Sequence, residues 1–282
     1  MEERHPRAGE FKLTTLVKNR VSDPTNQFQD FFHMFQTDPL GSKYRQRLDQ
    51  VALNNGRSLV IDFEDLINYD PSLARSVAER PDEYIGYATS AATAQMQVED
   101  PEYAERFGKV FARFRALPEE ISLRKIGVEH NQKLVQVSGI VSKVGRMYPL
   151  ILRAAFRCKK CLEISQEGQS GDILRGPGSV CPYCRQHTTW ELLEELSKFR
   201  NNQELRISDH RKQNGRIYFP TSTLDVRVED DLVDTVGLKE SITLTAIVRI
   251  GRPPYSRRRL KKFDFYLEAN YLDRTVKDFR TP

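Results

Sequence analysis

The chain has 282 residues, 29% of them charged and 39% hydrophobic, the make-up of a soluble globular protein of about two domains. No apolar run approaches the ~20 residues of a membrane-spanning helix, and the N-terminal MEERHPRAGE lacks the apolar core of a secretory signal, so a cytoplasmic protein with no membrane partner is expected. The net charge is +5, and residues 240–282 hold 10 Lys/Arg against 5 Asp/Glu, with seven basic residues and no acidic one in 249–262; so local a basic element points to a polyanion partner.

Several reaction classes are excluded by what the chain lacks. It contains no G-x-x-x-x-G-K-[ST], no G-x-S-x-G, no H-E-x-x-H and no G-x-G-x-x-G, hence no P-loop nucleotide site and no familiar hydrolase or dinucleotide motif. The four cysteines fall within 27 residues, and none is left over as a nucleophile. The chain reads as a binding or assembly module and not as an enzyme.

Residues 1–115 have helical character. Phe28, Phe31, Phe32 and Phe35 recur at helical spacing. Ser58–Asp62 is a short strand-like run after Asn54-Asn55-Gly56. Asp70-Pro71 is a helix-start signal, and Pro81 opens a further segment. Tyr103, Phe107, Val110, Phe111 and Phe114 are expected on one helical stripe facing a core. Pro118 ends this region, and the period changes from helical to two. Val135, Val137, Gly139 and Val141 alternate with their neighbours. So do Leu224, Val226 and Val228; Ile242 through Ile250; and Phe263, Phe265, Leu267, Ala269 and Tyr271. Alternation of this length marks half-buried strands, and several of them suggest a small antiparallel barrel.

Cys158-x-x-Cys161 and Cys181-x-x-Cys184 are separated by 19 residues, the spacing of a structural zinc ribbon. Four thiolates close the metal shell and leave no position for a reactive water. Lys159, Lys160 and Arg185 flank the pairs and offset their negative charge. Gly168, Gly171, Gly176 and Gly178 mark the insert as a loop. Disulfides are the alternative, rare in the cytosol; electron-transfer iron is another. His187 lies close enough in sequence to stand in for a cysteine.

The strands at 242–250 and 263–271 are expected to pair antiparallel, with a projecting basic hairpin over 249–264. Pro253 and Pro254 belong near its turn or on an edge. Arg252, Arg257, Arg258, Arg259, Lys261 and Lys262 would then reach phosphates, and Tyr255 would offer a stacking surface. Basic residues and prolines also protect strand edges, but three consecutive arginines favour nucleic acid.

This order of parts resembles the N-terminal region of the minichromosome maintenance (MCM) replicative helicase, archaeal type. Ser58–Asp62 followed by DLINYDPSLARSVAERP is similar to the family's helical domain. Leu123–Gly127, Lys133-Leu134 and Val137–Val141 resemble the opening of its OB barrel. Ala155–Cys161 resembles the entry to its zinc ribbon. Ser197–Phe199, Gln203–Ile207, Asp230–Asp234, Phe265 and Ala269-Asn270 resemble segments that follow. The resemblance implies an α+β multidomain fold: an N-terminal helical bundle over 1–115, then an OB-fold β-barrel over 116–155 and 191–282. A zinc ribbon is inserted at 156–190, and a basic β-hairpin projects from the barrel.

The resemblance also implies a role. It implies a non-catalytic platform for DNA replication that assembles as a hexamer or double hexamer and encircles single- or double-stranded DNA. Zinc would be held by Cys158, Cys161, Cys181 and Cys184, where two rings meet. The hairpin's basic residues would line the channel. Arg124, Lys125, Lys143, Arg146 and Arg206 would hold DNA on the barrel. Ser208–Thr221 would signal to the motor, and other replication proteins would be partners. Two departures stand out. The family's ATPase motor follows this region and is absent here, as in an expressed fragment or a motor-less homologue. Ser208-Asp209 stands where the family often has Gln-Glu. Two other readings compete: a stand-alone zinc-ribbon OB protein binding single strands as a monomer, and an assembly adaptor with acidic partners and no DNA affinity.

Overall fold

The computed structural model describes residues 23–38, 41–171, 173–209, 212–213, 216–217, 222–251 and 261–274. The first unit contains α1 (Pro24–Met34), the small antiparallel pair β1 (Gln36–Asp38) and β2 (Gly41–Ser42), α2 (Lys43–Leu53) and β3 (Ser58–Asp62). It continues with α3 (Phe63–Tyr69), α4 (Pro71–Glu79), α5 (Pro81–Glu99), α6 (Pro101–Phe107) and β4 (Phe111–Arg115). Asp23, Asp70 and Asp100 each precede a helix-opening proline. Their carboxylates accept from the amides of Thr25 at 3.1 Å, Ser72 at 2.8 Å and Tyr103 at 2.9 Å. The aspartate satisfies a donor the helix cannot pair, and the proline stands where no amide is needed. Asp70-Pro71 and Pro81 thus start helices as expected.

Phe28, Phe31 and Phe32 follow one face of α1 and are fully buried with Tyr44, Leu48 and Leu66. The Phe31 ring lies 4.7 Å from Tyr44 and 5.2 Å from Tyr69. α5 turns the small Ala88, Ala91 and Ala92 inward, which lets α1 pack closely against it.

The stripe expected over 103–114 is corrected. Gly108, at φ 73°, ends α6, because a residue without Cβ adopts the left-handed conformation freely. The chain then extends as β4, parallel to β3, with Ser58 opposite Phe111 and Asp62 opposite Arg115. Phe114 still reaches the helical core. Phe111 lies on the opposite face of the strand.

Beyond residue 118 the chain is mostly strand: β5 (Leu134–Val144), β6 (Tyr148–Cys158), β7 (Ile164–Gly168), β8 (Trp190–Ser208), the short β9 (Lys212–Gln213) and β10 (Arg216–Ile217), β11 (Thr223–Glu229), β12 (Ser241–Gly251) and β13 (Asp264–Arg274). β12 pairs antiparallel with β13 and β5; β5 and β11 both pair antiparallel with β8; β11 returns parallel to β13. The five strands β5, β8, β11, β13 and β12 therefore close into a barrel without a free edge. Val137, Val141, Ile207, Val226, Leu244 and Leu267 fill it and are fully buried.

The alternation expected through Tyr271 fails at one residue. Thr245 pairs with Tyr271 but Ala246 pairs with Ala269, so Asn270 is an extra, bulged residue. It is buried, and Leu272 resumes contact with the barrel core. At the other end of this pair, β12 leaves β5 after Ile247 and runs on with β13 to Gly251. Ile250 and Phe263 are exposed there because the two strands pass beyond the barrel.

The helical unit rests on the barrel's outer surface. Ile247 and Leu134 lie opposite each other in register and belong to the helical core, not to the barrel interior. A second extension leaves the barrel through β6 and β8. These strands stay paired from Tyr148–Asn202 to Cys158–Trp190, with β7 along the outer edge of β6. The arm carries the cysteines at its far end.

Candidate metal centre and nucleic-acid interface

The arm builds the same turn twice. The Cys158 amide donates to the Glu163 carbonyl at 2.9 Å and the Leu162 amide to the Cys158 carbonyl at 3.0 Å. The Cys181 amide donates to Gln186 at 3.0 Å and the Arg185 amide to Cys181 at 2.9 Å. Leu162 and Arg185 each follow the second cysteine of their pair, and both have positive φ, 65° and 57°. The two turns face each other, so all four cysteine Sγ atoms lie within 4.8 Å of one another, and Cys161 and Cys181 are 3.6 Å apart. A tetrahedron of thiolates about 2.3 Å from a central zinc has edges of about 3.8 Å. None of the four is in a disulfide, so this donor set fits a tetrahedral thiolate metal.

The surroundings favour ionised sulfur at Cys158, whereas at Cys161 the Glu163 backbone contact is outweighed by burial and by hydrogen bonds with the other three cysteines, which push that thiol up to about 12. The amides of Lys160 and Cys161 point at the Cys158 Sγ at 3.4 and 3.5 Å. Burial opposes ionisation there, but the Cys161 amide, Thr188 and the Lys160 amide outweigh it and bring the Cys158 thiol down to about 6. Lys159, Lys160 and Arg185 are exposed around the cluster. His187 is exposed and outside the four-sulfur group.

Arg124, Lys125, Lys143, Arg146 and Arg206 are all exposed. Lys143 and Arg206 face each other across β5 and β8. Two of the five are engaged within the chain. Arg124 donates to Asp209 at 2.8 Å, and Arg206 holds Asp225 through two bonds of 2.6 and 3.1 Å. Lys125, Lys143 and Arg146 have no carboxylate partner within 4.0 Å among the described residues.

Lys261 and Lys262 are exposed just before β13. Arg252, Arg257, Arg258 and Arg259 lie outside the described residues, as does most of the loop expected over 208–221. Arg249 is a residue whose role sequence reasoning missed. It belongs to the basic run by position, yet its Nε donates to Glu268 at 2.7 Å and its Nη1 to Asp82 of α5 at 2.8 Å, with Nη2 on the same carboxylate. The signal was its parity: Arg249 alternates with the barrel residues and shares its face of β12 with Ile247, which meets the helical unit.

Comparison with known proteins bears on this arrangement. Residues 25–116 match the MCM N-terminal domain and residues 122–252 match the MCM OB domain. The minichromosome maintenance protein MCM of Saccharolobus solfataricus is 24% identical over 263 residues, which is 91% of this chain and 38% of that protein. The DNA replication licensing factor mcm2 of Xenopus tropicalis is 25% identical over 221 residues, 78% of this chain and 25% of that protein. The chain thus spans well under half the length of either relative. The crystal structure of the N-terminal domain of an archaeal MCM shares the fold, with a TM-score of 0.70 at 23% identity, over 90% of this chain and 98% of that one. A helical unit docked on a closed five-stranded barrel, matched in that order by both domains, establishes that this chain belongs to the minichromosome maintenance family and represents its N-terminal region.

Proposed function

We propose that this chain is the DNA-binding and ring-assembly platform of an MCM replicative helicase. In this reading it encircles DNA as a hexamer or double hexamer and regulates an ATPase motor that its own residues do not contain. The observation that carries it is the hairpin. β12 and β13 pair beyond the end of the barrel, and the run between them is basic, with Arg252, Arg257, Arg258, Arg259, Lys261 and Lys262. A basic run carried where two strands pass beyond the barrel can reach phosphates that a flat barrel face does not. Lys125, Lys143 and Arg146 add charge on the barrel that has no carboxylate partner among the described residues. The arm contributes to assembly. Its cysteines hold zinc, and Leu152, Ile164, Tyr183, Leu196 and Phe199 are exposed along it, an apolar surface of the kind buried between protein chains.

A salt titration of binding to single-stranded and duplex DNA tests the reading. The slope of log K against log salt on single strands is expected near −3.5 if five charges displace counterions, and about two units shallower with Arg257, Arg258 and Arg259 all changed to Ala. Unchanged binding by the triple variant would reduce the hairpin to a protected strand edge. A particle near 33 kDa at micromolar concentration would favour a monomeric single-strand-binding protein instead.

A further inference from the structure

The junction between the helical unit and the barrel holds a second group of cations, outside both the hairpin and the barrel-face set. Three of them surround one ring. The Lys109 Nζ lies 5.0 Å from the centroid of Phe111, the Arg113 guanidinium 5.0 Å and the Arg57 guanidinium 5.3 Å. The cause is local. Phe111 and Arg113 share one face of β4, Lys109 precedes that strand by two residues, and Arg57 immediately precedes β3, its carbonyl accepting from the Phe111 amide at 2.8 Å. A fourth cation, Arg200 of β8, acts on Lys109 from the barrel side.

Two of these cations are already spent. Arg113 is buried and held by Asp231, and Arg200 pairs with Glu229 at 2.5 Å. Arg57 and Lys109 are not: among the described residues neither has a carboxylate within 4.0 Å. The hydrogen bonding is incomplete as well. The Nε atoms of Arg57 and Arg200 are both shielded from solvent without an acceptor among the described residues. Such orphaned donors are rare in a folded protein. Burial, and then Arg113, Arg200 and Arg57 against a single opposing Asp230, push the Lys109 amine below its usual value. Positive charge and donors are thus in excess at one spot.

We propose that Arg57 and Lys109, gathered beside Phe111, form a binding site for a phosphate-type oxyanion near the domain junction. A phosphate supplies several acceptor oxygens and the negative charge that the site lacks. The anion comes from free phosphate or from the diester backbone of a polynucleotide. The site stands whether or not the hairpin binds DNA.

The test uses the 282-residue chain. Inorganic phosphate and pyrophosphate are titrated by calorimetry at low salt, and a single-stranded oligonucleotide is titrated by fluorescence anisotropy. Lys109→Gln and Arg57→Gln are compared with Arg75→Gln, an exposed cation on α4. A melting curve checks that each variant retains the fold. The expected result is about tenfold weaker anion binding in Lys109→Gln and Arg57→Gln, with Arg75→Gln unchanged. If phosphate binds in this pattern and oligonucleotide affinity is indifferent, the ligand is the free anion. If only oligonucleotide affinity falls, it is the diester backbone. Equal binding of every probe by wild type and variants, or no binding by any, would overturn the site.

Discussion

The side-chain amide of Asn270 sits beside Phe114 as if it were a strand residue. Its oxygen accepts from the Phe114 amide at 2.7 Å, and its nitrogen donates to the Ala112 carbonyl at 3.1 Å. On this edge of β4 the helical unit supplies the Thr89 hydroxyl, which accepts from the Ala112 amide at 3.1 Å, and one bulged residue of the barrel takes the Ala112 carbonyl and the Phe114 amide. Arg113 completes the contact by donating to the Asn270 carbonyl at 3.1 Å. The other edge of this two-stranded sheet is closed by side chains too: Arg47 donates to the Val60 carbonyl at 2.7 Å, and the Asp62 amide donates to the Tyr44 hydroxyl at 3.2 Å.

Asn270→Ala leaves both backbone groups of β4 buried and unpaired. Each such group costs about 1–3 kcal/mol, so a loss of about 2–6 kcal/mol is expected from urea unfolding. A loss below about 1 kcal/mol would mean that water takes over both bonds and that the bulge does not hold the two units together.

Asp62 gives stability a defined pH dependence. It bonds Lys43 at 2.8 Å and Arg47 at 2.7 Å, and also Arg115. Burial opposes its ionisation, but the bonds to Lys43, Arg115 and Arg47 outweigh this and hold the carboxyl well below the usual carboxylate range. A depressed carboxyl contributes stability that is complete above the ordinary value of about 3.9 and is lost as pH falls toward the folded value. Asp70, where burial is outweighed by the bonds from Ser72 and Leu73 that lower its carboxyl, has the same sign. The melting temperature is expected to fall steeply below about pH 4, and more gently in Asp62→Asn. Parallel curves for the two proteins would remove Asp62 from the account.

Chelation tests whether the arm holds zinc. Structural zinc supplies folding energy directly, and the two cysteine turns have few other ties. One is the Trp190 indole, which donates to the Gly178 carbonyl at 2.8 Å. Chelation is expected to deprotect the amides of 158–184 in hydrogen exchange while the barrel amides stay protected. An unchanged melting curve and exchange pattern with EDTA would count against zinc. Cys181→Ser is expected to weaken ring stacking more than DNA contact, and equal loss of both would indicate misfolding.

Arg249 and Asp82 join the base of the hairpin to the first turn of α5. Asp82 is more than half exposed, so solvent screens the pair, and a coupling of about 0.5–1 kcal/mol is expected from a double-mutant cycle with Arg249→Met and Asp82→Asn. Zero coupling would make the contact incidental to how the helical unit is held.

Local chemistry alone was enough for much of this protein. The Asp-Pro helix starts, the phenylalanines of α1, the alternating barrel strands and the cysteine spacing each depend on neighbours a few residues away, and each is legible in one short window of sequence. What escaped depends on groups far apart in the chain. Gly108 ends a helix that periodicity alone would continue, because Ser58–Asp62 offers Phe111–Arg115 a strand to pair with. Asn270 leaves the alternation because β4 presents the Phe114 amide 156 residues earlier. Arg249 leaves the basic run because Asp82 waits 167 residues away. Arg57 and Lys109 are unremarked cations in sequence, and only the pairing of β3 with β4 gathers them at one ring. Periodicity records which face of an element is apolar; it holds no record of which distant polar group needs a partner, and that need is settled only when the two units meet.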